Sequence, residues 1–210
     1  MDRMYRWTRH VYDLTRRYYL LGRDAVLRDI AMQPPSMVVE VGCGTARNLR
    51  LLADWAPQHT LYGLDASHEM LDTARTSLQR AGGASRVRLQ QGVAEQLDIQ
   101  TQFGTDRAPD ILFFSYVLSM IPTWPDALDA ALDALRPGGR LYVVDFWDQG
   151  DLPRGCATLL QQWLALFGVH HRPELLDAFR RLEQDDRVSL QIESVARRYA
   201  YRATLTKREE

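Results

Sequence analysis

Lysine is nearly missing from this chain: Lys207 is the only one among 26 basic side chains. Arginine takes its place in every segment, which reads as codon usage, so a role for any one Arg needs a local argument. Cysteine is scarce too. Cys43 and Cys156 are the only two, with no metal-ligand spacing and no disulfide framework, and a reducing cytosol is the simple expectation. Net charge is also absent: the formal value is −1, which gives no case for nucleic acid as the main partner. No apolar run opens the chain, so no signal peptide is expected. The longest apolar stretch, ILFFSYVLSMI from Ile111, is too short to span a bilayer and suits a buried strand. Internal repeats and low-complexity linkers are lacking as well.

What is present is an ordinary globular composition. The 210 residues are 46% hydrophobic and 25% charged, enough for one domain with a substantial core. Residues 3 to about 30 read as a helix. Met4, Trp7, Val11, Leu14, Tyr18 and Leu21 form one stripe at helical spacing, and Tyr5, Arg9, Tyr12, Arg16 and Tyr19 a second on another face. Pro34 and Pro35 break the chain. MVVEV (37–41) is an apolar strand, followed by a helix from GCGTARNLRLLADW, a strand TLYGLD (60–65), and a helix capped by Ser67. A third strand follows GGAS, a fourth lies in PDILFFSYV (109–117), and a fifth follows RPGG. Strands alternating with helices predict an α/β fold with a mostly parallel sheet covered on both faces. A helical region over 152–184 then leads to VSLQIESVARRYAYRATLT, which reads as two antiparallel strands.

The glycines sit at a strand-to-helix switch. Gly42 and Gly44 permit a tight turn and close backbone approach to a ligand, and the helix that follows presents free N–H groups. A dinucleotide fingerprint needs a third glycine at Arg47, so a nicotinamide-dependent oxidoreductase is disfavoured. What stands instead is Glu40, Gly42, Gly44 and, 23 residues beyond Gly42, Asp65 at the end of the second strand. That is the place for a carboxylate that accepts hydrogen bonds from ribose hydroxyls.

In EVGCGTARNL, LYGLDAS, QGVAEQL and LRPGGRLYVVDF the chain resembles the class I S-adenosylmethionine-dependent methyltransferases across residues 37 to 146. The resemblance implies a Rossmann-like seven-stranded sheet with its last strand antiparallel and an N-terminal helical lid (1–33) on a single domain of residues 1–210. It implies S-adenosyl-L-methionine as cofactor. The loop of Gly42 and Gly44 would hold its methionine end, Asp65 its ribose, the Ala94 N–H its adenine, and Ser115 would face the methionine part. Two departures stand out. Ala46 replaces a frequent third motif glycine, and Val93 replaces a frequent acid that holds the adenine amine, with Glu95 or Gln96 as substitutes.

MDRMYRWTRHVYDLTRRYYLLGRD, SYVLSMIP, VVDFWDQ and WLALFGV also look like the bacterial betaine-lipid methyltransferases, which methylate the amine of diacylglyceryl-homoserine. This implies an amino-lipid acceptor at a membrane surface and a cytoplasmic enzyme, peripheral on the inner face of the cell membrane. Tyr12, Tyr19 and Tyr116 are candidates for holding methylated ammonium groups by cation–π attraction. Asp145, at the end of the fifth strand, is a candidate base for the first ammonium. Arg23 is a candidate for a carboxylate of cofactor or acceptor, or else for a surface ion pair with Asp24. No metal is expected. The competing readings are a methyltransferase for a soluble amine, phenol or quinone, and a non-catalytic cofactor-binding partner.

Overall fold

The computed structural model describes residues 20–82, 85–151 and 172–209. Candidates Tyr12 and Tyr19, the Tyr/Arg stripe, and residues 152–171 of the expected helical insert lie outside the described residues.

Seven strands form one sheet. They are β1 (Met37–Val41), β2 (Thr60–Asp65), β3 (Val87–Gln91), β4 (Ile111–Ser115), β5 (Arg140–Phe146), β6 (Val188–Val195) and β7 (Ala200–Lys207). Their spatial order is β3-β2-β1-β4-β5-β7-β6. The first five pair in parallel, and β7 runs antiparallel to both β5 and β6. This is the expected architecture. All five residues of β1 are buried, as a central strand covered on both faces must be.

The two faces carry separate cores. One holds helices α1 (Arg23–Ala31), α2 (Arg47–Trp55) and α3 (His68–Arg80), which bury Val26, Ile30, Leu49, Leu52 and Leu71 against Val38, Phe113 and Val144. The other holds α4 (Ile99–Phe103), α5 (Trp124–Ala134) and α6 (Pro173–Gln184). There Leu128, Leu175 and Phe179 pack on Phe114, Val143 and Tyr201. Local chemistry marks several helix starts. The Ser67 Oγ accepts the Met70 N–H, and Asp98 accepts from the Thr101 N–H. Pro125 and Pro173 sit in first turns, where a missing N–H loses no bond.

One expectation needs correction. The helix read over 3 to about 30 is interrupted, because α1 begins at Arg23 behind a left-handed Gly22 with φ 84°. A Cβ there would stand 3.2 Å from Val195, so glycine serves both the turn and the close packing.

Strand order reverses between β1 and β4, and in open α/β sheets ligands bind outside the carboxyl ends of the strands at such a switch point. Gly63 in β2 sets how closely α2 approaches the sheet there. A Cβ on it would meet Leu49 at 2.6 Å, Leu89 at 2.8 Å and Cys43 at 2.9 Å. Gly63→Ala is expected to destabilise the protein by about 1–3 kcal/mol through overpacking, read as a lower urea midpoint at unchanged slope.

Candidate active site

A cleft of about 1080 Å³ opens at the carboxyl ends of β1, β2 and β4. Its floor is the glycine loop. The Gly42 and Cys43 N–H groups both donate to the Leu64 carbonyl, at 2.7 and 2.9 Å. Gly42 has φ 74°, and a Cβ there would lie 2.6 Å from Val117, so no other residue fits without displacing that wall. Ala46, at the expected third glycine, sits at φ 57°. The left-handed conformation is thus kept without the residue that favours it, at a cost of about 1 kcal/mol.

Asp65 closes the loop. Its Oδ2 accepts the Gly44 N–H at 2.7 Å and its Oδ1 accepts the Ser67 N–H at 2.9 Å. Each oxygen keeps a further lone pair, and the residue lines the cleft.

Glu40 is the unusual member. It is 1% exposed, yet it lines the cleft. Asn48, the only asparagine of the chain, donates to its Oε1 at 2.7 Å, while Oε2 has no partner. Burial pushes its carboxyl up to about 8, against the Asn48 hydrogen bond and the Arg23 charge, with Asp65 adding to the rise. The Ser115 Oγ is a second buried atom without a partner on the cleft wall.

The other candidates divide. Ala94 opens the short 3₁₀ turn Ala94–Gln96 and lines the cleft. Val93 is 36% exposed, and neither it, Glu95 nor Gln96 is among the described residues that line the cleft. Arg23 is buried, lines the cleft and donates from Nε to the Leu20 carbonyl at 3.2 Å. Asp24, offered above as its partner, instead pairs with Arg47 at 2.9 Å.

Two candidates are deeply buried. Tyr116 lines the cleft but is only 2% exposed. Its ring packs edge-on to Phe146, and its hydroxyl donates to the Leu21 carbonyl at 2.5 Å. Little ring face is left for an ammonium. Asp145 is fully buried and is not among the described residues that line the cleft. Its oxygens accept the Ser119 and Phe146 N–H groups at 2.9 and 2.8 Å. Cleft residues that the sequence reading passed over include Asn48, Arg47, Met120 and Ile121. Only their neighbourhood to the glycine loop and to β4 could have pointed to them. Among the described residues no cluster of His, Cys, Asp and Glu could hold a metal ion.

Free Glu40 makes stability fall with pH. Its folded pKa lies above its ordinary value of 4.5, so the folded state prefers the protonated form and loses stability as pH rises from 4.5 towards 8. Ligand-free protein is expected to lose roughly 3–5 kcal/mol across that window from this residue, and Glu40→Gln to abolish the loss. Urea unfolding at several pH values checks this.

Known proteins resemble this chain in sequence and in fold. The family described as "Methyltransferase domain" matches residues 38–139. A trans-aconitate 2-methyltransferase of Deinococcus radiodurans is 36% identical over 126 residues, covering 58% of this chain and 44% of that protein. The chain spans half or less of the length of the curated relatives it matches. Among solved structures, a chain of the Haloferax volcanii complex between the Trm112 methyltransferase activator and a methyltransferase superposes with a TM-score of 0.74 at 16% identity. It covers 100% of this chain and 99% of that one. A SAM-dependent methyltransferase from Aquifex aeolicus gives 0.66 at 16% identity, covering 91% and 93%. Residues 38–139 are thus similar to a methyltransferase domain, and the solved structures share the fold of the chain.

Proposed function

We propose that this chain transfers a methyl group from S-adenosylmethionine to an amine. The observation that carries the reading is the meeting, in one cleft, of the glycine loop, the Asp65 carboxylate and the unpartnered Glu40 oxygen. These residues fit the cofactor. The cradle at Gly42 has room for backbone only. Two buried polar atoms, Glu40 Oε2 and Ser115 Oγ, await partners, and leaving them so is unfavourable by about 1–3 kcal/mol each.

When bound, S-adenosylmethionine supplies an electrophilic methyl on a sulfonium. The chain's part is positioning, because an in-line displacement needs alignment more than acid–base work. Asp65 has lone pairs left for the ribose hydroxyls, and Ala94 has its N–H for adenine. Glu40, beside the glycine loop, suits the positive charge of the methionine end, and Arg23 suits a carboxylate. Among the described residues the carboxylates lining the cleft are Glu40, Asp65 and Glu69. With these committed to the cofactor or exposed, the proton of an acceptor ammonium would leave to water.

For the acceptor we infer the amine of diacylglyceryl-homoserine, methylated in steps to the trimethyl betaine lipid at the inner face of a membrane. The sequence resemblance over MDRMYRWTRHVYDLTRRYYLLGRD and SYVLSMIP supports this, and so does a cleft wall that combines Leu20, Met120 and Ile121 with Arg23. No described helix is long and apolar enough to cross a membrane. A second reading, methylation of a small carboxylic acid, is favoured by the relative named for trans-aconitate. Labelled methyl transfer to vesicles containing diacylglyceryl-homoserine, run beside trans-aconitate, separates the two. Label in the lipid supports the amine, and label only in the acid overturns it.

Cofactor binding should be linked to protons. Glu40 is protonated when free below about 8, and a cationic ligand stabilises its carboxylate. Affinity for S-adenosylmethionine is therefore expected to rise with pH, by up to about tenfold per unit, and to level off above 8. Calorimetry in buffers of different ionisation enthalpy should detect the released proton. Glu40→Gln should bind weakly without that dependence, and a parent with pH-independent affinity would remove Glu40 from the cofactor site.

A further inference from the structure

The loop that leaves β4 supplies one wall of the cleft through Ser115, Tyr116, Val117, Met120 and Ile121. It begins under strain. Tyr116 has φ 58°, and a left-handed conformation is unfavourable by roughly 1–2 kcal/mol for such a residue and persists only where its surroundings hold it. The Tyr116 N–H donates to the Val144 carbonyl at 2.8 Å. Val117 fills the space beside Gly42 that a side chain there would need. Three residues on, the backbone of Ser119 is gripped at both of its polar groups. Its N–H donates to Asp145 Oδ2 at 2.9 Å, and its carbonyl accepts from Arg172 Nε at 3.1 Å.

We propose that Asp145 is a positioning residue for methyl transfer: with Arg172 it clamps Ser119 and thereby fixes Val117, Met120 and Ile121 against the glycine loop. The proposal deepens the methyltransferase reading and rests on it for the purpose of the wall.

The clamp calls for an acceptor on both sides. Both oxygens of Asp145 accept from backbone N–H groups, those of Ser119 and Phe146. An amide would turn a donor towards one of the two N–H groups. The titratable groups facing Asp145 are Arg172, the Tyr116 phenol and the Tyr201 phenol. Burial pushes Asp145 up to about 6, opposed by the bonds from Ser119 and Phe146 and by the Arg172 charge. A folded value above the ordinary one means that the closed clamp takes up a proton more readily than an opened, solvated one, so acid does not open it. Both phenols are pushed well above their ordinary value and stay neutral throughout, and arginine stays charged.

Amide hydrogen exchange of the full chain tests the clamp without any acceptor. In the parent, after correction for intrinsic rates, protection over 116–121 is expected not to fall as pH drops through 6. Asp145→Asn should exchange about tenfold faster in that segment at neutral pH, the equivalent of one lost hydrogen bond, leave β1 and β4 unaffected, and bind S-adenosylmethionine several-fold more weakly. Arg172 is half-buried, so Arg172→Gln is the milder variant. It should loosen the same segment less. An Asp145→Asn variant with unchanged exchange over 116–121 overturns the proposal. So does one that exchanges faster through the whole sheet alike, since that marks a general structural role. A parent that fails to bind S-adenosylmethionine overturns the methyltransferase reading instead, and exchange alone then decides the clamp.

Discussion

The cleft depends on one carboxylate shared between two turns. Asp65 ends β2, and β2 lies in parallel register beside β1, with Leu64 opposite Val41. The residues after Val41 therefore emerge next to Asp65, which accepts the Gly44 N–H with one oxygen and the Ser67 N–H with the other. The Leu64 carbonyl takes the N–H groups of Gly42 and Cys43. Four backbone donors that strand pairing leaves behind thus find partners at the end of a single neighbouring strand. The geometry also explains how Ala46 can hold φ 57°. The loop before it is anchored at three successive N–H groups, and α2 follows it at once. A substituent that costs about 1 kcal/mol in isolation is carried by contacts that the cleft requires in any case.

Much of this was legible in the sequence. Glu40, Gly42, Gly44 and Asp65 could be read because backbone conformation and strand ends constrain residue type directly. Alternation of apolar strands and amphipathic helices likewise announced a doubly covered sheet. Burial was much harder to read. Tyr116 and Asp145 carry groups suited to catalysis, but their roles turn on what surrounds them. A phenol tied to the Leu21 carbonyl and a carboxylate holding two N–H groups look the same in the sequence as exposed ones. The break at Gly22 had a visible signal in the glycine itself. The helical period on both sides of it outweighed that signal, although a glycine inside a helix is itself unfavourable by about 1 kcal/mol.

Glu40 and Asp145 make an instructive pair. Each is an acid at or near the carboxyl end of a strand, and each is almost or wholly inaccessible. Asp145 accepts backbone N–H groups on both oxygens and has a nearby arginine, which brings it to about 6. Glu40 has one side-chain amide donor and an empty second oxygen, which leaves it near 8. Desolvation is the leading cause in both and arginine charge opposes it in both, while the count of hydrogen-bond donors differs. That count also separates their roles. A carboxylate whose bonds are already made can brace a loop, whereas one with an unmade bond on a cleft wall is suited to a ligand.

The unmade bond has a consequence for selectivity. A permanently ionised, unpaired carboxylate inside the cleft would be unfavourable by several kcal/mol and would attract any cation. Glu40 avoids this by remaining protonated near neutrality, held by Asn48 on one oxygen only. Its charge appears when a positive group arrives to stabilise it, so the ionic attraction is reserved for a cationic ligand. Asp65, half-exposed and bonded to two backbone N–H groups, needs no such device. Its remaining lone pairs can meet neutral hydroxyls. The two acids thus divide a ligand into a cationic end beside β1 and a polyhydroxylated middle beside β2. That division matches a nucleoside joined to a cationic amino acid better than it matches a dinucleotide, whose anionic phosphates would face Glu40.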